Sequence, residues 1–263
     1  MVRWQDEVKS FARMLFPAFI MFVASMPCSG LADNILIGGT GYWSPYCYSN
    51  SDNGSNLQGF TVDVVKYVFR NKGNVKFVKL PWKRCLRMLD GGQLDLVMDG
   101  SKNSDRLQKY LFSDQLYHLD SVFFYNRFRY PRGLSIKNIA EVGRYTLGGI
   151  SGFNYLMYPF DVSKVQKGAA NIQALLEMLK YNRFDLALGF KQVVLSNAKI
   201  NGLNMDGIGW TSMPEMEPLY FYIFGNKTKR CVELIHVINK GIIEMKMNGK
   251  YKELRRKYRL SGG

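Results

Sequence analysis

Two runs of alternating strand and helix patterns constrain the fold of this chain more than any other feature. The first run predicts strand, helix, strand, helix and strand at 34–38, 60–70, 75–80, 82–89 and 95–98. A further strand at 121–125 closes the first run, and the second run predicts strands at 145–149, 185–188 and 219–224 and helices at 136–140 and 171–180. A helical tail follows, in which Gly249 separates two helices. Such alternation favours an α/β protein with mostly parallel sheets, here as two lobes of about 100 residues each.

The composition is that of an ordinary globular protein. The 263 residues are 47% hydrophobic and 22% charged, which argues against disorder and against a protein with many membrane spans. The chain has two histidines, His118 and His236, and four cysteines without a CxxC spacing. Few side chains are therefore present that could bind a metal or form a histidine-based catalytic triad, and we predict no metal and no cofactor.

The net charge of +15 makes the surface strongly basic, with a cluster of basic residues at 255–259. Such a surface could meet nucleic acid, anionic lipid or an envelope polyanion. A solvated basic face is the simpler interpretation, because lysine and arginine are spread along the whole chain. We predict no nucleic-acid partner.

The N-terminal segment has the features of a secretory signal peptide. Three basic residues precede an apolar run at 14–26, which is shorter than the ~20 residues that a bilayer span needs. Small residues then precede a cleavage point ahead of Asp33. Cys28 is a weak candidate for lipid attachment, because a proline precedes it. We predict that residues 1–32 are removed and that the protein is periplasmic.

Four short stretches follow this segment in a characteristic order. They are 42–46 (YWSPY), 59–63 (GFTVD), 81–86 (PWKRCL) with 92–95 (GQLD), and 101–117 (SKNSDRLQKYLFSDQLY). Their order and spacing resemble the family 3 extracellular solute-binding proteins, the polar amino-acid-binding type of periplasmic receptor. The resemblance covers residues 34–260, and the closing helix around Tyr251 and Leu254 is similar as well.

The resemblance implies a two-lobed, periplasmic-binding-protein-like fold of type II, each lobe a mostly parallel sheet flanked by helices. The chain would cross between the lobes twice, near 124–127 and near 219–222. Lobe 1 would hold residues 33–125 and 221–263, and lobe 2 residues 126–220. Such proteins close on a small ligand by a hinge movement and present it to the permease of an ABC-type importer. We expect a monomeric, non-enzymatic binding protein.

The resemblance also implies residues that contact the ligand. Arg106 falls on the carboxylate-binding arginine of the family. A guanidinium group suits that role, because it offers a planar and permanently charged fork of donors. Trp43 and Trp82 fall on the two aromatic walls of the family's site, where their faces could enclose a ligand or hold a cation.

Two loops complete the implied site. In lobe 2, the loop that closes over the ligand carboxylate at a helix N-terminus falls on Gly152, Phe153 and Asn154. In lobe 1, the loop before the arginine is rich in serine and threonine in the family. Here that loop is one residue short and contains Asp99 and Ser101.

One departure bears on the ligand. Members of the family that bind α-amino acids carry an acid just after a lobe-2 strand, and here that position is Phe190. A buried α-ammonium group without a carboxylate partner is costly. We therefore predict a carboxylate-bearing ligand, an amino acid or related organic acid, with a preference for one whose α-amino group is unusual or absent. Asp99 or Glu217 could replace the missing acid from another direction.

Three cysteines remain after cleavage, an odd number in an oxidising compartment. Cys47 and Cys85 each follow a predicted cleft tryptophan, and we predict that they form a disulfide. Cys231 lies in a predicted amphipathic helix, which would keep its thiol buried and free.

Two other functions remain open at this point. An enzyme on the same fold, similar to cyclohexadienyl dehydratase, needs a general acid or base in the cleft, for which Asp99 or Glu217 is available. An interaction module would use the basic face to bind or sense an envelope polyanion, and its binding would depend steeply on salt. Turnover of prephenate would identify the first.

Overall fold

A computed structural model describes residues 34–49 and 56–260 of the chain. The predicted signal peptide at 1–32, which includes Cys28, lies outside these residues. Among the described helices, none combines the length and the apolar character that crossing a membrane requires. The described residues form two main β-sheets with helices packed against them.

The first sheet is built on three parallel strands. Its strands, in spatial order, are β4 (Val75–Lys79), β1 (Ile35–Gly39), β5 (Leu96–Gly100), β13 (Leu219–Asn226) and β6 (Tyr110–Phe112), with β7 (Tyr117–Leu119) also paired to β13. β4, β1 and β5 run parallel, because α1 (Phe60–Phe69) and α2 (Trp82–Asp90) carry the chain back between them. β13 is antiparallel to β5, β6 and β7. A short ribbon of β2 (Tyr42–Trp43) and β3 (Cys47–Tyr48) follows β1.

The second sheet repeats this plan. Its strands, in spatial order, are β10 (Val165–Ala169), β9 (Leu147–Ile150), β11 (Leu186–Phe190), β8 (Ser121–Asn126) and β12 (Ile208–Ser212). β10, β9 and β11 run parallel, with α4 (Ile172–Lys180) between β10 and β11, whereas β8 and β12 are antiparallel to their neighbours. Both sheets are therefore mixed. Strands that follow one another through a helix within a sheet run parallel. The chain reaches β8 and β13 directly from the other sheet, without a helix in between, and these two strands run antiparallel to their neighbours.

The remaining helices begin and end where the sequence offers caps. They are α3 (Ser104–Lys109), α5 (Lys191–Asn201), α6 (Lys229–Met247) and α7 (Lys250–Lys257). The Thr228 side chain accepts a hydrogen bond from the Cys231 backbone at the start of α6. Gly249, with a φ of 78°, separates α6 from α7 as predicted. The helix predicted at 136–140 is instead a 3-10 turn at Ile139–Arg144, because Asn138 caps it and places its start later.

The helical tail completes the core of the first sheet. Ile238 and Ile242 of α6 are buried, as the predicted apolar face required. Helix α6 comes close to α1 at Gly241, where an added Cβ atom would lie 2.5 Å from Cγ2 of Val68. A larger residue at this position would force the two helices apart. The tail therefore belongs to the first lobe, by which we mean the first sheet and the helices packed on it.

The chain crosses between the sheets twice. β7 pairs in the first sheet and β8 in the second, so the outward crossing lies at Asp120. The return lies at 213–218, between β12 and β13. Both crossings precede the predicted positions near 124–127 and 219–222. The run at 121–125 is buried between β11 and β12 as a central strand, which leaves no room for a hinge within it.

The predicted disulfide between Cys47 and Cys85 is wrong. Both thiols are free and buried, as is that of Cys231. An added Cβ atom on Gly39 would meet Sγ of Cys47, and one on Gly38 would meet Sγ of Cys85. Neighbouring residues of a strand point to opposite faces of the sheet, so β1 stands between the two sulfur atoms. Burial raises the pKa of the Cys85 thiol to about 12.

Candidate ligand-binding site

A cleft lies where the carboxyl ends of the parallel strands of the two sheets face each other, the usual place for a ligand in α/β proteins. It encloses a cavity of about 50 Å³, room for a few water-sized groups. The predicted residues that line it are Trp43, Trp82, Asp99, Ser101, Arg106, Phe153, Asn154 and Phe190. Side chains distant in the sequence are thus brought together at one place.

Arg106 lies in this cleft as a cation that no described carboxylate neutralises. The Asn103 side chain caps α3 by accepting a hydrogen bond from the Arg106 backbone at 2.8 Å. Nη1 of Arg106 donates to the Ser101 carbonyl at 2.8 Å, and the guanidinium lies 5.2 Å from the Trp82 ring centroid. Burial lowers the pKa of Arg106 to about 10. No described carboxylate forms an ion pair with this group, so it can accept the negative charge of a ligand.

Asp99 is the penultimate residue of β5 and is the only acid among the described residues that line the cavity. Its φ of 61° is in the left-handed region, which aspartate tolerates better than most residues. Oδ1 accepts hydrogen bonds from Thr61 at 2.6 Å and Tyr117 at 2.9 Å, whereas Oδ2 is buried without a described partner. Desolvation raises the pKa of Asp99 to about 7, against the lowering effect of the two hydrogen bonds.

Aromatic rings from both lobes form the floor of the cleft. Trp43 donates its indole N–H to the Tyr117 hydroxyl at 2.8 Å, and that hydroxyl in turn donates to Asp99. The Trp43 ring lies 5.5 Å from Phe153 and 5.7 Å from Phe190, both edge-on, and 5.5 Å from Phe221. Edge-on contacts between rings are favourable beyond their buried area. The wall predicted at Trp43 is therefore continuous across the two lobes.

Polar contacts join the lobes beside these rings. Asn154 donates to Oγ of Ser101 at 3.1 Å and accepts from the Asn103 side chain at 3.1 Å. On the other side of the cleft, the hydroxyls of Ser44 and Ser196 are 2.6 Å apart. Asn154, predicted to face the ligand, therefore also connects lobe 2 to the loop that carries Arg106.

The loop after β9 differs from its predicted form. Gly152 has a φ of 85°, and an added Cβ atom would lie 3.1 Å from Lys83 of lobe 1. The expected helix N-terminus is absent from this described loop, because turns follow and Tyr155 is bonded through its hydroxyl to the Ile150 carbonyl. A neighbouring cavity of about 380 Å³ is lined by Lys83, Gly152 and Lys167, and shares Arg106 with the first. Cationic side chains, rather than a helix end, surround this loop.

The positions of Phe190 and Glu217 show which carboxyl group of the cleft could pair with a cationic group of a ligand. Phe190 ends β11, is buried, and contacts Trp43 and Phe221, so lobe 2 offers no acid at that position. Glu217 is exposed and is not among the residues that line the cavity. Asp99 is therefore the carboxyl group that remains as a candidate partner for a cationic group in the cleft.

Further residues line the cavity that the sequence did not indicate: Thr40, Tyr42, Met98, Tyr158, Leu219 and Phe221. Thr40 and Tyr42 flank Trp43, and their position after a strand was an available signal. Tyr158 and Phe221 reach the cleft from distant segments, and only the tertiary structure brings them there. No group of three or more His, Cys, Asp or Glu among the described residues could hold a metal ion.

Two lobes of α/β structure are joined by two crossings and face each other across a cleft whose arginine pairs with no described carboxylate. This architecture defines a two-lobed binding protein of type II. Comparison with known families identifies the family of binding proteins. The chain belongs to the bacterial extracellular solute-binding proteins, family 3, which it matches over residues 35–261. The resemblance inferred from the motifs is thereby confirmed.

Known relatives and structures agree with this assignment. The chain is 24% identical to the L-cystine-binding protein TcyA of Bacillus subtilis (strain 168) over 225 residues, 85% of this chain and 80% of that protein. It is 22% identical over 222 residues to a probable histidine-binding protein of Neisseria gonorrhoeae, which covers 80% and 78% of the two chains.

Solved structures confirm the predicted fold class. An ancestral arginine-binding protein bound to glutamine superposes with a TM-score of 0.69 at 23% identity, over 86% of this chain and 97% of that one. A histidine kinase sensor domain similar to periplasmic binding proteins superposes with a TM-score of 0.74 at 15% identity, over 86% and 96%. At these identities, the likeness shows the fold alone.

Proposed function

We propose that this protein binds a small carboxylate-bearing solute in the cleft between its lobes and delivers it to the permease of an ABC-type importer. The observation that carries the proposal is Arg106, a partly buried guanidinium group at the cavity that forms no ion pair with a described carboxylate. A carboxylate bound there would form charge-assisted hydrogen bonds with a group that is already desolvated and held by Ser101. Export and a periplasmic location fit the family and the N-terminal sequence.

Asp99 extends the proposal to the other end of the solute. Its buried Oδ2 atom has no described partner, and its raised pKa reports a carboxylate held where its charge is costly. An ammonium group beside Asp99 would relieve that cost and restore the ionised form. We therefore place a carboxylate at Arg106 and an amino group at Asp99, which modifies the preference for ligands without an α-amino group. That preference rested on Phe190 alone.

Binding also requires movement of the lobes. The cavity has room for only a few water-sized groups, and the rings of Trp43 and Phe153 contact each other across it. The larger neighbouring cavity reaches Arg106 but not Asp99, so a solute the size of an amino acid would contact both residues only when the lobes move apart at the two crossings, as in hinge-type binding proteins. The contacts of Asn154 and Ser44 with the opposite lobe would then break and re-form around the ligand.

A thermal-shift screen tests this function. The panel holds the twenty amino acids, their deaminated acids and their decarboxylated amines, measured with wild type, Arg106→Ala and Arg84→Ala. Arg84 is an exposed arginine of α2 and serves as the matched control. At 100 times its Kd a ligand adds about 2.7 kcal/mol to stability. We expect stabilisation of wild type and Arg84→Ala by carboxylate-bearing members only, and none of Arg106→Ala. Stabilisation by the amines alone would contradict the proposal.

Asp99 also favours a second candidate, an enzyme similar to cyclohexadienyl dehydratase. A carboxyl group with a pKa of about 7 in a cleft is suited to general acid–base catalysis near neutral pH. Incubation with prephenate and detection of phenylpyruvate decides between the two. We expect no turnover by wild type; turnover that Asp99→Asn abolishes would establish the enzyme.

A further inference from the structure

A surface at the far end of the second sheet has no part in the proposed binding of a solute. It consists of Arg127, Phe128 and Arg132 in the turn after β8, and Tyr181 and Arg183 in the turn after α4; we name these five residues the far-end patch. The side chains of Phe128 and Tyr181 are 82% and 80% exposed. Single exposed apolar side chains are ordinary, but exposed apolar patches mark interaction sites, and these two rings stand in turns that one side chain joins.

The two turns are held together by one buried side chain. The amide of Asn126 donates to the Lys180 carbonyl at 3.1 Å and to Oδ1 of Asn182 at 3.2 Å. Its own Oδ1 accepts from the Phe128 backbone at 2.9 Å. Gly207, with a φ of 74°, lies directly under the Phe128 ring, where an added Cβ atom would clash. The two turns that carry the patch are therefore held against each other, and the Phe128 ring lies on Gly207.

The charge of the patch is positive. Arg127, Arg132 and Arg183 are exposed and form no ion pair with a described carboxylate. Arg129, in the same turn, is neutralised by Asp185 at 2.6 Å. One exposed acid, Asp206, lies in the turn that adjoins Phe128. Three arginines that pair with no described carboxylate thus stand in the same two turns as the two exposed rings.

The patch is separate from the cleft. Strand β8 begins at Ser121, beside the crossing, and ends at Asn126, which holds the patch. Six residues of β-strand span about 20 Å. A partner bound at the far-end patch would therefore leave the mouth of the cleft open for the solute and for its transfer.

We propose that the far-end patch binds the surface of an anionic phospholipid bilayer. Aromatic rings that project from a basic surface are typical of proteins that lie in the headgroup region, where the rings enter the interface and the cations meet phosphates. Arginine suits this role, because its guanidinium forms bidentate hydrogen bonds with phosphate oxygens. Residence on the membrane would raise the local concentration of the protein around a membrane permease. This inference does not depend on the identity of the solute.

Co-sedimentation with vesicles tests the inference. The exported protein is mixed with vesicles of phosphatidylcholine alone and of phosphatidylcholine with phosphatidylglycerol. We expect wild type to sediment with the anionic vesicles only. Phe128→Ser with Tyr181→Ser should weaken binding by roughly tenfold for each ring, because each loses apolar area that the interface buries. Arg127→Gln with Arg183→Gln should also weaken it.

Matched controls separate a specific patch from general basic charge. Ile243→Ser with Met247→Ser removes two exposed apolar side chains of α6, 53% and 81% exposed, and should bind as wild type does. Arg84→Gln with Arg87→Gln removes two exposed arginines of α2 and should have a smaller effect than the patch pair. Failure of wild type to bind anionic vesicles would overturn the inference. That result is also the one expected if the patch binds only a protein partner. Equal losses in the patch and control variants would overturn it as well.

Discussion

Asp99 and Arg106 line the same cavity and carry opposite charges, yet they form no ion pair or hydrogen bond with each other. Arg106 is turned to the Ser101 carbonyl and Trp82, and Asp99 to Thr61 and Tyr117. Two desolvated ionisable groups of opposite sign that do not pair with each other can each receive a group of opposite charge. The arrangement suits a zwitterion, with its carboxylate at Arg106 and its ammonium group at Asp99.

The raised pKa of Asp99 makes a prediction about stability. The folded protein holds this proton up to a pKa of about 7, while the unfolded chain releases it near the ordinary value of 3.8. Ionisation therefore opposes folding, and its cost grows from pH ~4 to pH ~7 at a slope approaching about 1.4 kcal/mol per pH unit. We expect Asp99→Asn to remove this component of the pH dependence in urea unfolding, and Asp105→Asn, an exposed acid of α3, to retain it. Identical pH slopes in wild type and Asp99→Asn would contradict the assignment.

Ligand binding should release protons if an ammonium group meets Asp99. At pH 7 about half of the Asp99 carboxyls are protonated, and a cation beside them lowers the pKa. Calorimetry of an amino-acid ligand in two buffers of different ionisation enthalpy should show release of up to about half a proton, which Asp99→Asn abolishes. Proton uptake, or a release that survives in Asp99→Asn, would show that no cation binds there.

Tryptophan fluorescence should report binding. Trp43 and Trp82 line the cleft, whereas Trp210 lies on β12 of the second sheet, away from the cavity. Movement of the lobes changes the contacts of Trp43 with Phe153 and Phe190. We expect the signal induced by ligand to persist in Trp210→Phe and to disappear in Trp43→Phe with Trp82→Phe. A full signal in the double variant would place the ligand elsewhere.

Thiol chemistry should distinguish the structure from the disulfide that the sequence suggested. Cys47, Cys85 and Cys231 are free and buried, and burial raises the pKa of each thiol, that of Cys231 to about 11. The native protein without residues 1–32, never reduced, should react slowly with a thiol reagent, and the same protein unfolded should expose three thiols. A peptide in which Cys47 and Cys85 remain linked would refute this.

The sequence predicts most elements of the fold because local patterns encode them. Periodic apolar residues such as Leu175 and Leu179 identify helix α4, and the left-handed conformation at Gly249 breaks the tail where the sequence suggested. The sheet positions of β8 and β13 are not encoded locally. Both are apolar runs, and their antiparallel direction depends on partners far along the chain.

The residues of the candidate site can be predicted from local motifs, but the contacts between them cannot. Arg106, Trp43 and Trp82 stand in recognisable motifs, and the structure brings them to one cavity. The hydrogen bonds that join Trp43 to Tyr117 and Tyr117 to Asp99 connect separate segments of the chain, and no sequence motif predicts them. The predicted disulfide is wrong for a related reason. That Cys47 and Cys85 each follow a cleft tryptophan in the sequence does not show on which face of β1 each thiol lies.

Calorimetry of the Arg106→Ala variant tests the central claim most directly. The ligands are the carboxylate-bearing members of the panel that stabilise wild type, and Arg84→Ala is the control. Loss of one partner of a buried charge pair typically costs about 2–5 kcal/mol, so we predict that Arg106→Ala weakens binding by roughly 30-fold or more, with an unchanged fold by circular dichroism. Arg84→Ala should bind as wild type does. An Arg106→Ala variant that binds with wild-type affinity, or a wild-type protein that binds none of these carboxylates, would contradict the account.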